Sequence, residues 1–466
     1  MNQINLLALP LFKTTLTQIC CLCVIALLQG CGKEILESDG LYVATTEDQI
    51  EIKLKRYRPS PDVDFKDTQP ILLFPAFMMN MNGFLGHTPP ERAKGYSKMV
   101  LPESLAEWAI DDPFVAADPM RYHSLAHYLW TQGYDVWLAN FRGTGRGDFQ
   151  SDRGGKYSNI DVLAAFDVPA AVDKVVEVTG QWPVIGGHST GGMATYAYLQ
   201  GVTIDAKIFM EEKYIPHMVS DPELVAERNA NIPAYIGIDP AGEMPLSIMA
   251  YFMDISIFWN LINSPLFVNL DWLLGDILEP VFPIAVNAAI TDLAFGTVGF
   301  FDDNWPSFIN EDYNIFAVLH YWSTSKTNRY VEDYILRTSV SGGQLGILSQ
   351  YADWGVHETI REGWNNGIEN KDLSVSPDPS ENDGYYNYKE NMYKMTVPVV
   401  AVFSDFSSLV DTDDMVGVLF DGKTQHSLDY WFELPQSGHV DLAMNDDAPA
   451  GVYPPIGEWL KQLDLL

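Results

Sequence analysis

Positive charge is what this chain has least of. In 466 residues, 28 Lys and Arg stand against 62 Asp and Glu, a formal net charge of −34, so a polyanionic partner such as nucleic acid would be repelled rather than held. This excess of acid reads as a solvated, self-repelling surface or, more sharply, as that of a protein living in salty water. Cysteine is nearly missing too. Cys20, Cys21, Cys23 and Cys31 all lie near the start, so no disulfide staples the body of the chain. No segment is long and uncharged enough to cross a bilayer, which takes roughly 20 apolar residues. Internal repeats and low-complexity tracts are lacking. The acidic run Asp411, Asp413 and Asp414 lacks the glycine-turned spacing of a calcium loop and reads as solvated surface. No metal or organic cofactor is expected.

What the N-terminal end does hold is an address. Lys13 precedes an apolar run over 16–28, as in a secretory signal, and the run closes on Leu28, Gln29, Gly30 and Cys31. This resembles the lipobox of bacterial lipoproteins, in which cleavage before the cysteine leaves it to carry acyl chains. Gln29 is a less usual occupant of its place, and an ordinary signal peptide with an incidental cysteine is the alternative. The resemblance implies a signal over 1–31, a tether over 32–40 and a protein of the bacterial cell envelope whose membrane partner is reached through Cys31. Gly32, rather than an aspartate, fits outer-membrane delivery; secretion is the other outcome.

With 47% of its residues hydrophobic, the chain holds enough for a large core and an extra module. Alternation over 41–58 around Glu47 and Asp48 predicts an antiparallel hairpin. Strands are expected over 71–74, 134–139, 182–186 and 232–238, with helices over 122–132, 162–179 and 192–200 between them. Such alternation argues a mostly parallel sheet flanked by helices. From 244 to 391 the pattern changes to apolar helices rich in aromatics, among them Phe252, Phe258, Trp259 and Trp272. This predicts an inserted cap that is either plain helical core or a grip for apolar substrate, with 371–384 as the return linker. Strands over 397–403 and 428–434 and a helix over 456–463 close the chain. The core is thus expected in two parts, 41–243 and 392–466.

Chemistry enters at Gly187, His188, Ser189, Thr190 and Gly191. A serine between glycines, after an apolar strand and before a helix, is a nucleophile elbow: the tight turn pushes the hydroxyl out above the sheet, facing the helix's N-terminal amides. Serine alone is a poor nucleophile, so it needs a base, and the base needs an acid to orient it. In serine hydrolases built on such a sheet the histidine comes last, after the final strand. His439 stands there; His188, beside the nucleophile, points away and reads as elbow packing.

The chain resembles the acid lipases of gastric and lysosomal type over most of its length beyond the tether. The likeness runs through Val43, Thr45, Thr46, Glu47 and Asp48; Gly133 to Leu138 with Asn140, Arg142 and Gly143; Phe166 to Ala170; Thr338, Ser339 and Val340; and His439 to Leu442 with Asp447, Ala448 and Pro449. It implies an α/β-hydrolase core, a lid, and hydrolysis of lipid or other apolar esters. Two departures stand out. Where the family has a His-Gly pair before its oxyanion-hole residue, this chain has Pro75 and Ala76, leaving the backbone amide of Phe77 as one donor beside that of Thr190. Where the family has its catalytic acid, nine residues after Pro398, stands Ser407. Asp405 and Asp411 lie close by. A different solution is Gly237, Ile238, Asp239, Pro240, Ala241 and Gly242, which resembles the pancreatic lipase family, whose acid is the aspartate of that motif. Asp239 is therefore the first choice, with Asp405 and then Asp411 behind it. The expected protein is a carboxylic ester hydrolase of undetermined oligomeric state. Its rivals are a polyester depolymerase with the same triad and an inactive hydrolase-fold binding protein of the envelope, for which Ser407 is the best support.

Overall fold

The computed structural model describes residues 40–58, 68–90, 93–154, 157–211, 214–242, 267–268, 328–363, 385–405 and 410–463. The signal and Cys31, residues 32–39 of the tether, the aromatic stretch around Phe252, Phe258, Trp259 and Trp272, the linker over 371–384, and Ser407 lie outside the described residues.

Strands β1 (Leu41–Thr45) and β2 (Glu51–Tyr57) form the expected hairpin, Tyr42 opposite Leu54. Thr46 closes its turn, donating to the Asp48 carboxylate at 2.6 Å and accepting from the Ile50 amide at 2.9 Å. There follow β3 (Pro70–Phe74), α1 (Leu125–Thr131), β4 (Asp135–Ala139), α2 (Val168–Thr179), β5 (Val184–His188), α3 (Thr190–Leu199), α4 (Pro222–Asn231), β6 (Tyr235–Ile238), α5 (Leu345–His357), β7 (Val399–Ser404), β8 (Tyr430–Leu434) and α6 (Tyr453–Gln462). Among the described residues these strands make one eight-stranded sheet, in the order β1-β2-β4-β3-β5-β6-β7-β8. The β1/β2 and β2/β4 pairs are antiparallel and the remaining neighbours parallel. This is the α/β-hydrolase fold.

Strand periodicity of two explains the layers. Leu72, Phe74, Trp137, Ala139, Ala401 and Phe403 point to one face, where α2 and α3 bring Val172, Val175, Met193 and Ala197. The alternate residues Ile71, Leu73, Val136, Leu138, Val400 and Val402 meet Leu125, Leu129, Ile456 and Leu460 of α1 and α6 on the other. Each such aliphatic side chain contributes about 1.5–3 kcal/mol on burial. Strands β3, β4 and β5 are buried at every position, as parallel strands covered on both sides must be.

Five strands start one to three residues later than alternation predicts, and for β5, β6 and β7 proline is the reason. β5 begins after Pro183, β6 two residues after Pro233 and β7 after Pro398, because proline has no amide to give the ladder. Helix α4 falls where no element is expected, although Asp221 caps it by accepting from the Glu223 amide at 2.8 Å and Pro222 opens it, both start signals. Residues 163–167 form a π turn ahead of α2, coincident with Pro169, whose missing amide leaves a carbonyl without its i+4 partner.

Within 244–391, the described 328–363 segment packs on the same core: Ile347, Tyr351 and Trp354 of α5 belong to the face that holds Met193. Residues 343–344 pair with 267–268. Several motifs behind the family resemblance meet in buried ion pairs. The Arg142 guanidinium bonds the Asp48 carboxylate at 2.8 and 3.0 Å and Asp167 at 2.6 and 2.8 Å, joining the hairpin, the loop after β4 and the π turn.

Candidate active site

Ser189 sits between β5 and α3 with φ 52° and ψ −117°, a strained conformation for a residue with a side chain, of the kind held by its surroundings at functional sites. Its amide donates to the Ile238 carbonyl at 3.0 Å and its carbonyl accepts from Ala241 at 3.0 Å, so the tip of β6 clamps the turn. The flanking glycines are required by space. A Cβ on Gly187 or Gly191 would stand 2.3 or 2.2 Å from the Phe74 carbonyl oxygen. Helix α3 begins at Thr190, two residues before the expected start, and is buried on all sides.

Asp239 lies at the tip of β6, fully buried, with φ 41°, a left-handed conformation that Asp tolerates better than most residues. Its Oδ2 accepts from His439 Nδ1 at 2.7 Å and from the Ser404 hydroxyl at 2.8 Å, while Oδ1 accepts from the Ser404 amide at 3.3 Å. A carboxylate can only accept here, so Nδ1 carries the proton and Nε2 of His439 is left as the basic nitrogen. His439 is itself buried, its ring 4.7 Å from that of His188. His188 Nε2 donates to the His439 carbonyl at 2.9 Å. Burial, with the His439 ring close by, pushes the His188 pKa well below its ordinary value. His188 thus supports the histidine loop from beneath.

The two rival aspartates face elsewhere. Asp405 accepts from the Gln436 and Ser437 amides at 2.7 and 2.9 Å, bracing the loop that leads to His439, and Asp411 caps the short helix Thr412–Val416 through the Asp414 amide at 3.0 Å. Ser404, which anchors Asp239, belongs to no sequence motif; it stands at the tip of β7, the strand next to β6.

Phe77 follows β3 in a tight turn before Met78, whose φ is 56°. The loop is held from outside: Asn80 N donates to Ser339 O and Ser341 N to Met78 O, both at 2.8 Å, while Asn80 and Asn82 side chains both donate to Thr338 O at 2.9 Å. The Thr338, Ser339 and Val340 motif therefore works as a brace for this loop. Phe77 and Thr190 border one narrow cleft, walled by Phe141, Leu163 and Ile347. The Tyr351 hydroxyl is hydrogen-bonded to the Thr190 hydroxyl; this residue too belongs to no sequence motif.

Comparison with known proteins bears on the same region. The family model described as serine aminopeptidase, S33, a hydrolase family, matches residues 117–208. Lipase lipl-3 of Caenorhabditis elegans is 37% identical over 82 residues, 16% of this chain, and the chain matches only 20% of that protein's length. Among solved structures, a soluble variant of monoglyceride lipase from Saccharomyces cerevisiae aligns at 11% identity with a TM-score of 0.44, covering 93% of this chain and 98% of that one. An esterase from Thermogutta terrifontis aligns at 11% identity and a TM-score of 0.42, covering 91% and 99%.

Proposed function

We propose that this protein is a carboxylic ester hydrolase acting on lipid or other apolar esters through Ser189, His439 and Asp239. The observation that carries the reading is the 2.7 Å bond between His439 and Asp239 beside the strained Ser189 elbow. His439 Nε2 takes the Ser189 proton as the hydroxyl attacks the ester carbonyl. Asp239 holds the imidazole in the productive tautomer and stabilises its cationic form. The amides of Phe77 and Thr190 receive the charge that develops on the carbonyl oxygen, each such donor being worth about 3 kcal/mol in the transition state. His439 then protonates the leaving alcohol, and water, activated by the same base, frees the acyl group. The aromatic and aliphatic wall of Phe77, Phe141, Leu163 and Ile347 suits an acyl chain. Cys31 is the proposed point of lipid attachment.

The inactive-protein reading rests on Ser407, and Asp239 supplies the missing acid without it. The test is turnover of p-nitrophenyl esters from short to long acyl chains, with Ser189→Ala as control. Serine-dependent hydrolysis that rises with chain length supports a lipase, and loss of activity without unfolding is expected of the variant. No turnover by folded wild-type protein at any salt concentration would falsify the proposal. Release of soluble acids from a polyester film, with p-nitrophenyl turnover weak throughout, would redirect it to polymeric esters.

A further inference from the structure

Outside the triad, two buried polar atoms face each other with no hydrogen-bond partner among the described residues: Nε2 of His123 and Oδ1 of Asp446, 3.6 Å apart. His123 is fully buried at the end of the helical turn Pro119–His123, and Asp446 stands on the loop that carries His439. Nδ1 of His123 donates to the Asn445 carbonyl at 2.9 Å. A carbonyl can only accept, so Nδ1 holds the ring's proton and Nε2 presents a lone pair. An ionised Asp446 presents another. The two acceptors are one proton short of a hydrogen bond, and a buried pair left in that state is destabilising.

The surroundings favour a proton as the bridge. Among the described residues Asp446 has no lysine or arginine partner, and no three histidine, cysteine or carboxylate side chains stand close enough together to hold a metal ion. Arg121 and His127 are taken up by Asp118 and Asp112. The other titratable groups facing the pair are Asp447 beside it, Tyr122 from the same turn as His123, and Tyr453 of α6, whose hydroxyl donates to the Ala443 carbonyl at 2.8 Å. Burial, and then Asp447, push the Asp446 carboxyl from 3.8 up to about 6, while burial pushes the His123 imidazole from 6.5 down to about 4. Asp446 is therefore the group that holds the proton in the folded protein. Resting on the proposed hydrolase reading for what the loop carries, we infer that His123 and Asp446 form a proton-operated latch on the loop of His439: one proton between Nε2 and Oδ1 draws the loop onto the Pro119–His123 turn, and its loss releases the loop. The proton comes from solvent, which the Asp446 side chain reaches, being 31% exposed. Once bound, the carboxyl O–H donates to Nε2. Without it a carboxylate faces a lone pair, with Asp447 adding its own charge. Asn445 moves with Asp446, and its side chain accepts from the Asp447 and Ala448 amides at 2.8 and 2.6 Å, so the latch sets how firmly the end of the loop is seated.

Global unfolding would blur the effect. The contribution of the neutral imidazole is lost as pH falls through about 4 and that of the protonated carboxyl as pH rises through about 6, two opposed slopes, and Asp161 titrates in the same range. The test is therefore local: hydrogen exchange of the Asp447 and Ala448 amides in the folded protein at pH 5.0 and 7.5, corrected for the intrinsic rate. Wild type is expected to exchange about 10-fold faster at pH 7.5. Asp446→Asn, whose side-chain amide donates to Nε2 at either pH, is expected to exchange slowly at both. Asp447→Asn keeps the latch and removes a repelling charge, so its pH response should persist with the midpoint moved to lower pH. On a soluble p-nitrophenyl ester, the ratio of kcat in Asp446→Asn to that in wild type is expected to stay within about a factor of two at pH 5.0 and to climb to about threefold or more at pH 7.5. Equal exchange in wild type at the two pH values overturns the inference, as does a pH response that survives in Asp446→Asn. A flat kcat ratio beside the expected exchange overturns the hold on His439. Wild-type protein that shows the exchange pattern and turns over no ester would instead overturn the hydrolase reading.

Discussion

At the scale of single residues, Asp239 is where a carboxylate fixes the tautomer of an imidazole 200 positions away. Replacing it with Asn puts an amide opposite His439 Nδ1 and favours the tautomer in which Nε2 is protonated and no base. Asp239→Asn is expected to lower kcat by about 10³- to 10⁴-fold, measured as ester turnover with circular dichroism unchanged. Asp405→Asn weakens two amide bonds in the loop before His439 and is expected to cost less than tenfold. Equal losses in the two variants would sink the assignment. Arg142 carries a different burden. It neutralises two buried carboxylates at once, burial raising the Asp167 pKa while the guanidinium lowers it. Arg142→Met would leave both carboxylates buried and uncompensated, and about 3–5 kcal/mol of stability should go with it, read from urea unfolding.

At the scale of elements, the crossing of β3 with the elbow leaves no room for a methyl group. Gly191→Ala, with its Cβ 2.2 Å from the Phe74 carbonyl oxygen, is expected to destabilise the fold by about 1–3 kcal/mol or more. Gly417→Ala, where the new Cβ meets open space, should be neutral or mildly stabilising; both are checked by thermal melting. The segment after α5 is tied to the core by Asp161, fully buried, which accepts from Tyr388 at 2.6 Å, Gln350 at 2.7 Å and the Gly363 amide at 2.7 Å. Burial, and then the nearby Glu362, push its pKa from 3.8 up to about 6. A raised acid holds its proton more tightly folded than unfolded. Its stabilising contribution is complete below pH 3.8 and is lost as pH rises through about 6. Unfolding free energies of wild type and Asp161→Asn, compared at pH 4.5 and 7.5, should show wild type losing ground to the variant at the higher pH. A difference that does not move with pH would mean that Asp161 is ionised throughout.

At the scale of the whole molecule, a charge of −34 repels itself, and salt screens it with a Debye length of about 10 Å at 0.1 M. The melting temperature at pH 8 should therefore climb between 0.05 and 1 M NaCl, and a flat response would mean that the acids are dispersed too widely to matter. Among the described residues no helix is long and apolar enough to cross a membrane. Much of this architecture is legible in the order of residues. Alternation of period two and helical runs between the strands foretell a parallel sheet, because burial on both faces leaves that pattern; Ser189 and His439 stand out because an elbow and a final-strand loop are local signals. The starts of β5, β6 and β7 follow from proline once its missing amide is considered. What the sequence by itself could rank but not decide was the partner of His439. Asp239, Asp405 and Asp411 are equally acidic on paper, and only the packing of β6 beside β5 and β7 turns Asp239 toward the imidazole while Asp405 is taken up by backbone amides and Asp411 by a helix end. Ser404 and Tyr351 carry no mark in the sequence for the same reason: a hydrogen bond across a tertiary contact depends on where two distant segments come to rest, and neighbours along the chain carry no record of it.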